Sequence, residues 1–234
     1  MALHRFFHPE LGPSAGPLTI EGEEARHAAR VKRLRIGESV EVLSGVGRRA
    51  PARVGAIGKR GRDWIVELQT GQPVDEAPIA PRIEVCSACP KGDRLEHMID
   101  QLSQVGAACW RPLESQRSGP GPRAGKLDRL RRVAIEAAKQ CGRAWLLEIG
   151  APITLAEALR AGSRVVLLDA SGEPVSVTTD NTTILVGPEG GWSESELTDA
   201  RESGATVARL GPLTMRIEVA AVVGGAAALG PVRP

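Results

Sequence analysis

Thr183-Ile-Leu-Val-Gly-Pro-Glu-Gly-Gly-Trp-Ser193 and Leu210-Gly-Pro-Leu-Thr-Met-Arg-Ile-Glu-Val-Ala220 decide the fold. In the first, the apolar run Ile184 to Val186 reads as a buried strand. It breaks at Gly187-Pro188 and passes Gly190-Gly191. Ser193 and Glu196 then have the S-x-x-E spacing of a capping box that opens a helix. The second stretch repeats the plan: Val207 to Leu210 as strand, Gly211-Pro212 as turn, and a small-residue helix from about Arg216. Glycine lets backbone approach a ligand closely, and a helix N-terminus offers free N–H groups. Either stretch alone reads equally well as a plain strand-to-helix loop. Together they could hold one flat or bent ligand. Neither G-x-G-x-x-G nor G-x-x-x-x-G-K-[ST] occurs, so a dinucleotide fold or a P-loop is not the obvious reading.

Upstream of these stretches, strands and helices alternate. Ile83 to Ala88 reads as a strand. In Lys91 to Val105, the residues Leu95, Met98, Ile99, Leu102 and Val105 share one helix face, and Gly106 closes the helix. Trp110 begins an extended piece, and Arg117-Ser118 leads into a Gly/Pro loop over 119–125. The helix from Leu127 to Cys141 is expected to bury Leu127, Leu130, Val133, Ala134, Ala137 and Cys141. Arg164 to Asp169 is a further strand. Such alternation implies an α/β domain with a mostly parallel sheet and ligands at the strand C-terminal ends.

Residues 1–75 read differently, as a small β-rich module. Ser39–Leu43, Ala52–Ile57 and Trp64–Leu68 are strand-like. One helix is expected from Glu21 to Leu34, with Ala25, Ala28, Ala29, Val31 and Leu34 on its apolar side and Arg26, Arg30, Lys32 and Arg33 opposite. Barrels of short strands with basic loops recur as single-strand nucleic-acid platforms. Only Phe6, Phe7 and Trp64 offer rings for stacking here. The aperiodic, proline-bearing stretch 71–82 reads as a linker, which divides the chain into domains 1–75 and 76–234.

The 234 residues are 42% hydrophobic and 25% charged, as in ordinary globular proteins. No run of eighteen apolar residues suggests a membrane span, and Met1 to His8 lacks a signal-peptide core, so a cytoplasmic protein is expected. Net charge is only +2, but Arg111 to Arg143 carries nine Lys/Arg against three Asp/Glu. A basic stretch in a near-neutral chain suggests a phosphate-facing surface, or simply a solvated helix face. Cys86-Ser-Ala-Cys89 has C-x-x-C spacing, yet no partner motif follows. Two small core residues are the preferred reading, and no metal is expected.

The two opening stretches resemble the SPOUT class of S-adenosylmethionine-dependent RNA methyltransferases. Within it, the sequence resembles the RsmE-like family, which methylates N3 of a uridine in 16S ribosomal RNA of the small subunit. Arg5-Phe6-Phe7, His27 through Gly37 and Val40 to Gly45 resemble the family's PUA-like β-barrel. Lys91-Gly-Asp-Arg-Leu-Glu, Gln116-Arg117-Ser118, Glu136 to Gln140 with Arg143, Gly187 to Gly191, and Leu210 through Arg216 and Glu218 fall in family order. The resemblance implies a C-terminal SPOUT domain with a deep trefoil knot, a homodimer, S-adenosyl-L-methionine as cofactor, and ribosomal RNA as partner, met within the assembled small subunit. It implies cofactor contacts from Leu168, Val186, Gly187, Glu189, Gly190, Gly191, Leu210, Gly211, Leu213, Met215 and Arg216. RNA contacts are implied for Arg5, Arg30, Lys32, Lys91, Arg117 and Arg143.

The candidate catalytic residues are Arg216, which could favour a uracil anion, and Glu218. As a general base Glu218 sits awkwardly in the first turn of the last helix, where the macrodipole stabilises its carboxylate. Pairing with Arg216, or capping free N–H groups, is the alternative. Leu213, Thr214, Met215, Ile217 and Val219 depart from the family's usual last motif, and Gln104 stands where Glu is usual. Three readings therefore stay open: the uridine-N3 enzyme, a SPOUT methyltransferase with another RNA target, and a cofactor-binding but catalytically weak RNA-binding or assembly protein.

Overall fold

The computed structural model describes residues 3–160, 162–177 and 179–230. The chain divides into two compact units, Met1–Pro78 with Ala138–Leu146, and Ile79–Ala137 with Leu147 onward.

In the first unit, β1 (His4–Phe7), β2 (Gly16–Glu21), β3 (Ser39–Leu43), β4 (Arg48–Arg60), β5 (Asp63–Thr70) and β6 (Val74–Asp75) form a sheet ordered β1-β3-β4-β5-β2, with β6 on β4. The stretch read as a linker thus contributes a short strand, because Val74 and Asp75 pair with Arg49 and Arg48. Period-2 patterning turns Val40, Val42, Val66 and Leu68 inward around the fully buried Phe6. The expected helix is α1 (Gly22–His27), followed by a π turn over Ala28–Lys32 that the Arg33 N–H closes on the Ala28 carbonyl. This i→i+5 closure breaks the α-helical period. Ala25, Ala28 and Leu34 are buried as expected, but Val31 is rotated out and 66% exposed.

Residues 138–146 belong to this unit through side chains that the periodicity does not reveal. Arg5 donates from Nε to Glu41 Oε2 at 2.8 Å and from Nη1 to the Lys139 and Gln140 carbonyls. Arg49 donates to the Gly142 carbonyl at 2.6 Å. Trp145 lies over Gly47, whose φ of 96° and lack of space for a Cβ both require glycine.

In the second unit every strand pairing is parallel: β7 (Ile83–Ser87), β8 (Cys109–Glu114), β9 (Glu148–Ile149), β10 (Ile153–Thr154), β11 (Arg164–Pro174), β12 (Thr182–Val186) and β13 (Thr206–Arg209). The order is β10-β8-β7-β12-β11-β13, with β9 on β8. All of β12 is buried, as a central parallel strand covered on both faces demands. Alternation sorts its neighbours between two cores. Val85, Val166, Ile184 and Val186 meet α2 (Arg94–Val105), α3 (Ala124–Cys141) and α6 (Ile217–Leu229). Cys86, Leu167 and Leu185 meet α4 (Leu155–Leu159) and α5 (Glu194–Glu202).

On α2, Leu95, Met98, Ile99 and Leu102 are buried, and Gly106 ends the helix at φ 95°. Gly224 and Gly225 let α6 come against Leu168, Ile184 and Val85. Cys141, expected in the core, is exposed at the last turn of α3. Cys86 and Cys109 are buried, and burial pushes the Cys109 thiol up to about 12 and the half-buried Cys89 to about 11. These thiols are therefore poor nucleophiles. Among the described residues no group of three or more His, Cys, Asp or Glu could hold a metal ion, and no helix is long and apolar enough to cross a membrane.

Candidate active site

Strands β11, β12 and β13 end side by side, and the backbone that leaves them encloses a cavity of about 340 Å³ in the second unit. Its walls are Leu168 to Ala170, Val186 to Glu189, Gly191-Trp192 and the stretch from Ala208 to Met215, closed by Ile217 and Ala220. The C-terminal edge of a parallel sheet is where such a site is expected. All the expected cofactor residues line this cavity except Gly190 and Arg216. Arg216 is instead the exposed N-cap of α6.

Trp192 organises the first glycine turn. Its indole Nε1–H donates to the Leu168 carbonyl at 2.9 Å, a buried bond between the turn and the end of β11. A Cβ at Gly187 would meet the indole at 2.8 Å, so only glycine allows this packing. The sequence shows the tryptophan beside the glycines but gives no sign of its partner. Ser193 and Glu196 form the expected capping box: Ser193 Oγ accepts from the Glu196 N–H, and Glu196 Oε2 accepts from the Ser193 N–H at 2.8 Å. The remaining oxygen of Glu196 accepts from the Gln116 N–H, also at 2.8 Å. This carboxylate is only 3% exposed and serves two loops at once.

A second, larger cavity of about 770 Å³ lies across the same glycine turn. Residues 88–93 and 117–120, Leu95, Pro122 and Lys126 line it, and Pro188, Glu189 and Ile217 are shared by both cavities. Gly190 belongs to this second lining. Arg117 spans from the wall to the turn: its Nη1 donates to the Gly190 carbonyl at 2.9 Å and to the Trp192 carbonyl at 3.2 Å. Lys91, also in the lining, is exposed. Lys91 and Arg117 are thus brought together at one cavity, whereas Arg5, Arg30, Lys32 and Arg143 belong to the first unit.

Glu218 lines neither cavity. Its Oε1 lies 3.7 Å from Arg94, and the expected pairing with Arg216 is not formed among the described residues. Arg216 is the extended, exposed N-cap and makes no side-chain capping bond, whereas Glu218 lies in the first turn of α6. The departures from the family motif separate in the same way. Leu213 lines the first cavity and Ile217 both, but Val219 is exposed and Gln104 donates to Asp100 on the surface of α2. Sequence reasoning missed Asp169, whose Oδ1 accepts from the Ser171 N–H and hydroxyl at the rim of the first cavity.

Residues 76–229 match the RNA methyltransferase domain family, and residues 20–61 match the RNA methyltransferase PUA domain. Fold and site together therefore define a PUA-bearing RNA methyltransferase of the SPOUT type. The chain is 31% identical to the ribosomal RNA small subunit methyltransferase E of Mycobacterium bovis, over 93% of its own length and 88% of that protein. It is 26% identical to the Bacillus subtilis protein of the same name, over 88% and 87%. It belongs to the ribosomal RNA small subunit methyltransferase E family. The fold matches the crystal structure of the Neisseria gonorrhoeae member bound to S-adenosyl methionine with a TM-score of 0.85, at 24% identity over 97% of this chain and 96% of that one.

Proposed function

We propose that the protein transfers the methyl group of S-adenosyl-L-methionine to N3 of a uridine in 16S ribosomal RNA, acting in the cytoplasm on the assembled small subunit. The observation that carries this reading is the pair of cavities divided by Pro188, Glu189 and Ile217. One would hold the cofactor and the other the extruded base, with the methyl passing across the shared wall. The residues suit such a cofactor. Two glycine-bearing turns present backbone, and Leu168, Val186, Leu210 and Met215 offer apolar contact to a purine. Asp169 and Glu189 bring negative charge toward a cation, while Arg209 is tied to the Gly172 carbonyl. When bound, S-adenosylmethionine supplies an electrophilic methyl group.

The chain's own part is alignment and charge. Holding the two reactants in line converts an encounter into an intramolecular step, which can account for about 7–11 kcal/mol of barrier. Loss of the N3 proton to solvent leaves a uracil anion as the nucleophile. Lys91, Arg117 and Lys126 line the second cavity; Lys126 is paired with Glu96, which leaves Lys91 and Arg117, with Arg216 one residue before Ile217, as the cations to favour that anion. Glu218 fits a structural role better than that of a base, since it lines neither cavity and lies near Arg94.

For the RNA itself, the first unit offers an unusual contrast. Arg5, Arg26, Arg48, Arg49 and Arg60 are all paired with carboxylates. Arg30, Lys32, Arg33 and Arg35, on and after the π turn, are exposed and make no ion pair among the described residues. Burial above all, with the nearby Lys139, Lys32 and His27, holds His4 down at about 4, so it adds no charge of its own near neutral pH. This ridge suits a phosphate backbone. Arg5 is occupied at the end of α3, and burial pulls Arg143 below the usual arginine range, so both fit positioning better than RNA contact.

The trefoil knot and the homodimer belong to the same reading. After β13 the chain returns to pack α6 on α2, β7 and β12, as a threaded C-terminal segment would. Leu213, Val219 and Val223 leave apolar surface exposed for a second copy. A different RNA target is the second reading, favoured by Leu213 and Ile217, since apolar side chains stand in the two cavities at positions where the family resemblance leads one to expect Arg and Thr.

Incubation with labelled S-adenosylmethionine and small subunits from a strain lacking the modification, followed by mass spectrometry of the nucleosides, tests the proposal. 3-Methyluridine at one site is expected. No transfer, with cofactor binding confirmed by calorimetry, would sink the uridine-N3 reading.

A further inference from the structure

Arg94 opens α2, a place where the positive end of the helix macrodipole disfavours a cation. Its contacts explain why it is there. Nε donates to the Lys91 carbonyl at 3.3 Å, on the lip of the second cavity. Nη1 donates to Glu189 Oε1 at 3.3 Å and lies 3.7 Å from Glu218 Oε1. Glu189 lines both cavities and Glu218 sits in the first turn of α6, one residue after Ile217, which also lines both. One guanidinium therefore joins the approach to the substrate cavity, the glycine turn and the last helix.

The far side of the bridge is the more informative. Glu218 is 13% exposed in its side chain, and its Oε2 is buried with no hydrogen-bond partner. A half-satisfied buried carboxylate is costly unless a nearby cation offsets its charge. Among the described residues Arg94 is the cation that does so. We infer that Arg94 is a positioning residue: its bridge from Glu189 to Glu218 fixes the wall shared by the two cavities and so aligns cofactor with base. The inference rests on the function proposed above only for its consequence in catalysis. The bridge itself can be tested in the ligand-free chain.

The variants are Arg94→Met, Arg94→Lys, Glu189→Gln and the double variant R94M/E189Q, all in the full chain. Amide hydrogen exchange of the ligand-free protein is read first. R94M is expected to speed exchange at Glu189 to Trp192 about ten-fold while the amides of β7 and β12 stay protected. The double variant should exchange no faster than R94M, since both changes break one bridge. An ammonium cannot span two carboxylates and a carbonyl as the planar fork does, so R94K should recover only part of the protection. Where R94M folds poorly, the same cycle is read with R94K.

Calorimetry and turnover then separate positioning from plain scaffolding. R94M should lower kcat at saturating cofactor by about ten-fold or more, with a smaller loss of cofactor affinity. Unchanged exchange in R94M, or effects of R94M and E189Q that multiply independently, would overturn the bridge. Exchange that changes while kcat does not would overturn its positioning role. A wild-type chain that binds no S-adenosylmethionine speaks against the proposed function, and leaves the exchange result to decide the bridge.

Discussion

The two glycine-bearing turns that enclose the first cavity are built on opposite plans. The turn from Gly187 to Ser193 is braced from four directions: Trp192 to Leu168, Arg117 to Gly190 and Trp192, Arg94 to Glu189, and Glu196 to Ser193. No side chain of the turn from Leu210 to Arg216 makes a hydrogen bond among the described residues. Its N-cap lacks a side-chain partner, and Leu213 is 79% exposed. One wall of the site is therefore set before any ligand arrives. The other is free to adjust to what enters. A cofactor held largely through backbone needs at least one such preset wall, because ordering both walls on binding would subtract from affinity.

The largest effect is expected on the braced side. Gly187→Ala places a Cβ at 2.8 Å from the Trp192 ring, which its bond to Leu168 prevents from yielding freely. Overpacking of this kind should cost up to about 3 kcal/mol of stability in the absence of ligand. Thermal melting of the ligand-free chain would show it. A melt identical to wild type would mean that the indole is not fixed, and the contrast between the turns would dissolve.

Glu196→Gln should follow at about 1–2 kcal/mol, because a carboxylamide presents an N–H₂ group to one of two backbone donors, and a buried donor then loses its acceptor. The effect should reach across the site. Exchange of the Gln116 and Ser193 amides is expected to rise together, since one carboxylate serves both. Faster exchange at Ser193 alone would show that the loop bearing Arg117 stands by itself.

What could be read in the sequence follows physical range. Ser193 and Glu196 are three apart, and the apolar face of α2 repeats within one helix, so both left a periodic trace. The same holds for β12, whose apolar run is its burial. The family resemblance carried the pairing of the two glycine turns further than spacing alone could. What went unread depends on partners distant in the chain. Trp192 meets Leu168 24 residues away, Glu196 meets Gln116 at 80, and Glu189 meets Arg94 at 95. No local pattern encodes such pairs. Val31 escapes the pattern for a different reason, since a π closure changes the helical period without a compositional signal. The same α-helical count places Cys141 in the core, but at the last residue of α3 it is exposed.

The smallest effect on stability, and the sharpest test of the unbraced turn, is Leu213→Arg. At 79% exposure the side chain contributes little packing, so melting should stay within about 0.5 kcal/mol of wild type. The gain should appear only with ligands. If the new guanidinium reaches a phosphate of the bound RNA, the plot of log affinity against log salt should steepen by about 0.7–0.9, the increment for one added contact. Filter-binding titrations across a salt series would measure it. A change in stability above about 1 kcal/mol would show that Leu213 is packed in solution and that this turn, too, is braced. An unchanged melt with an unchanged salt slope would place Leu213 away from the RNA, and leave Ile217, shared by both cavities, as the departure that matters for substrate choice.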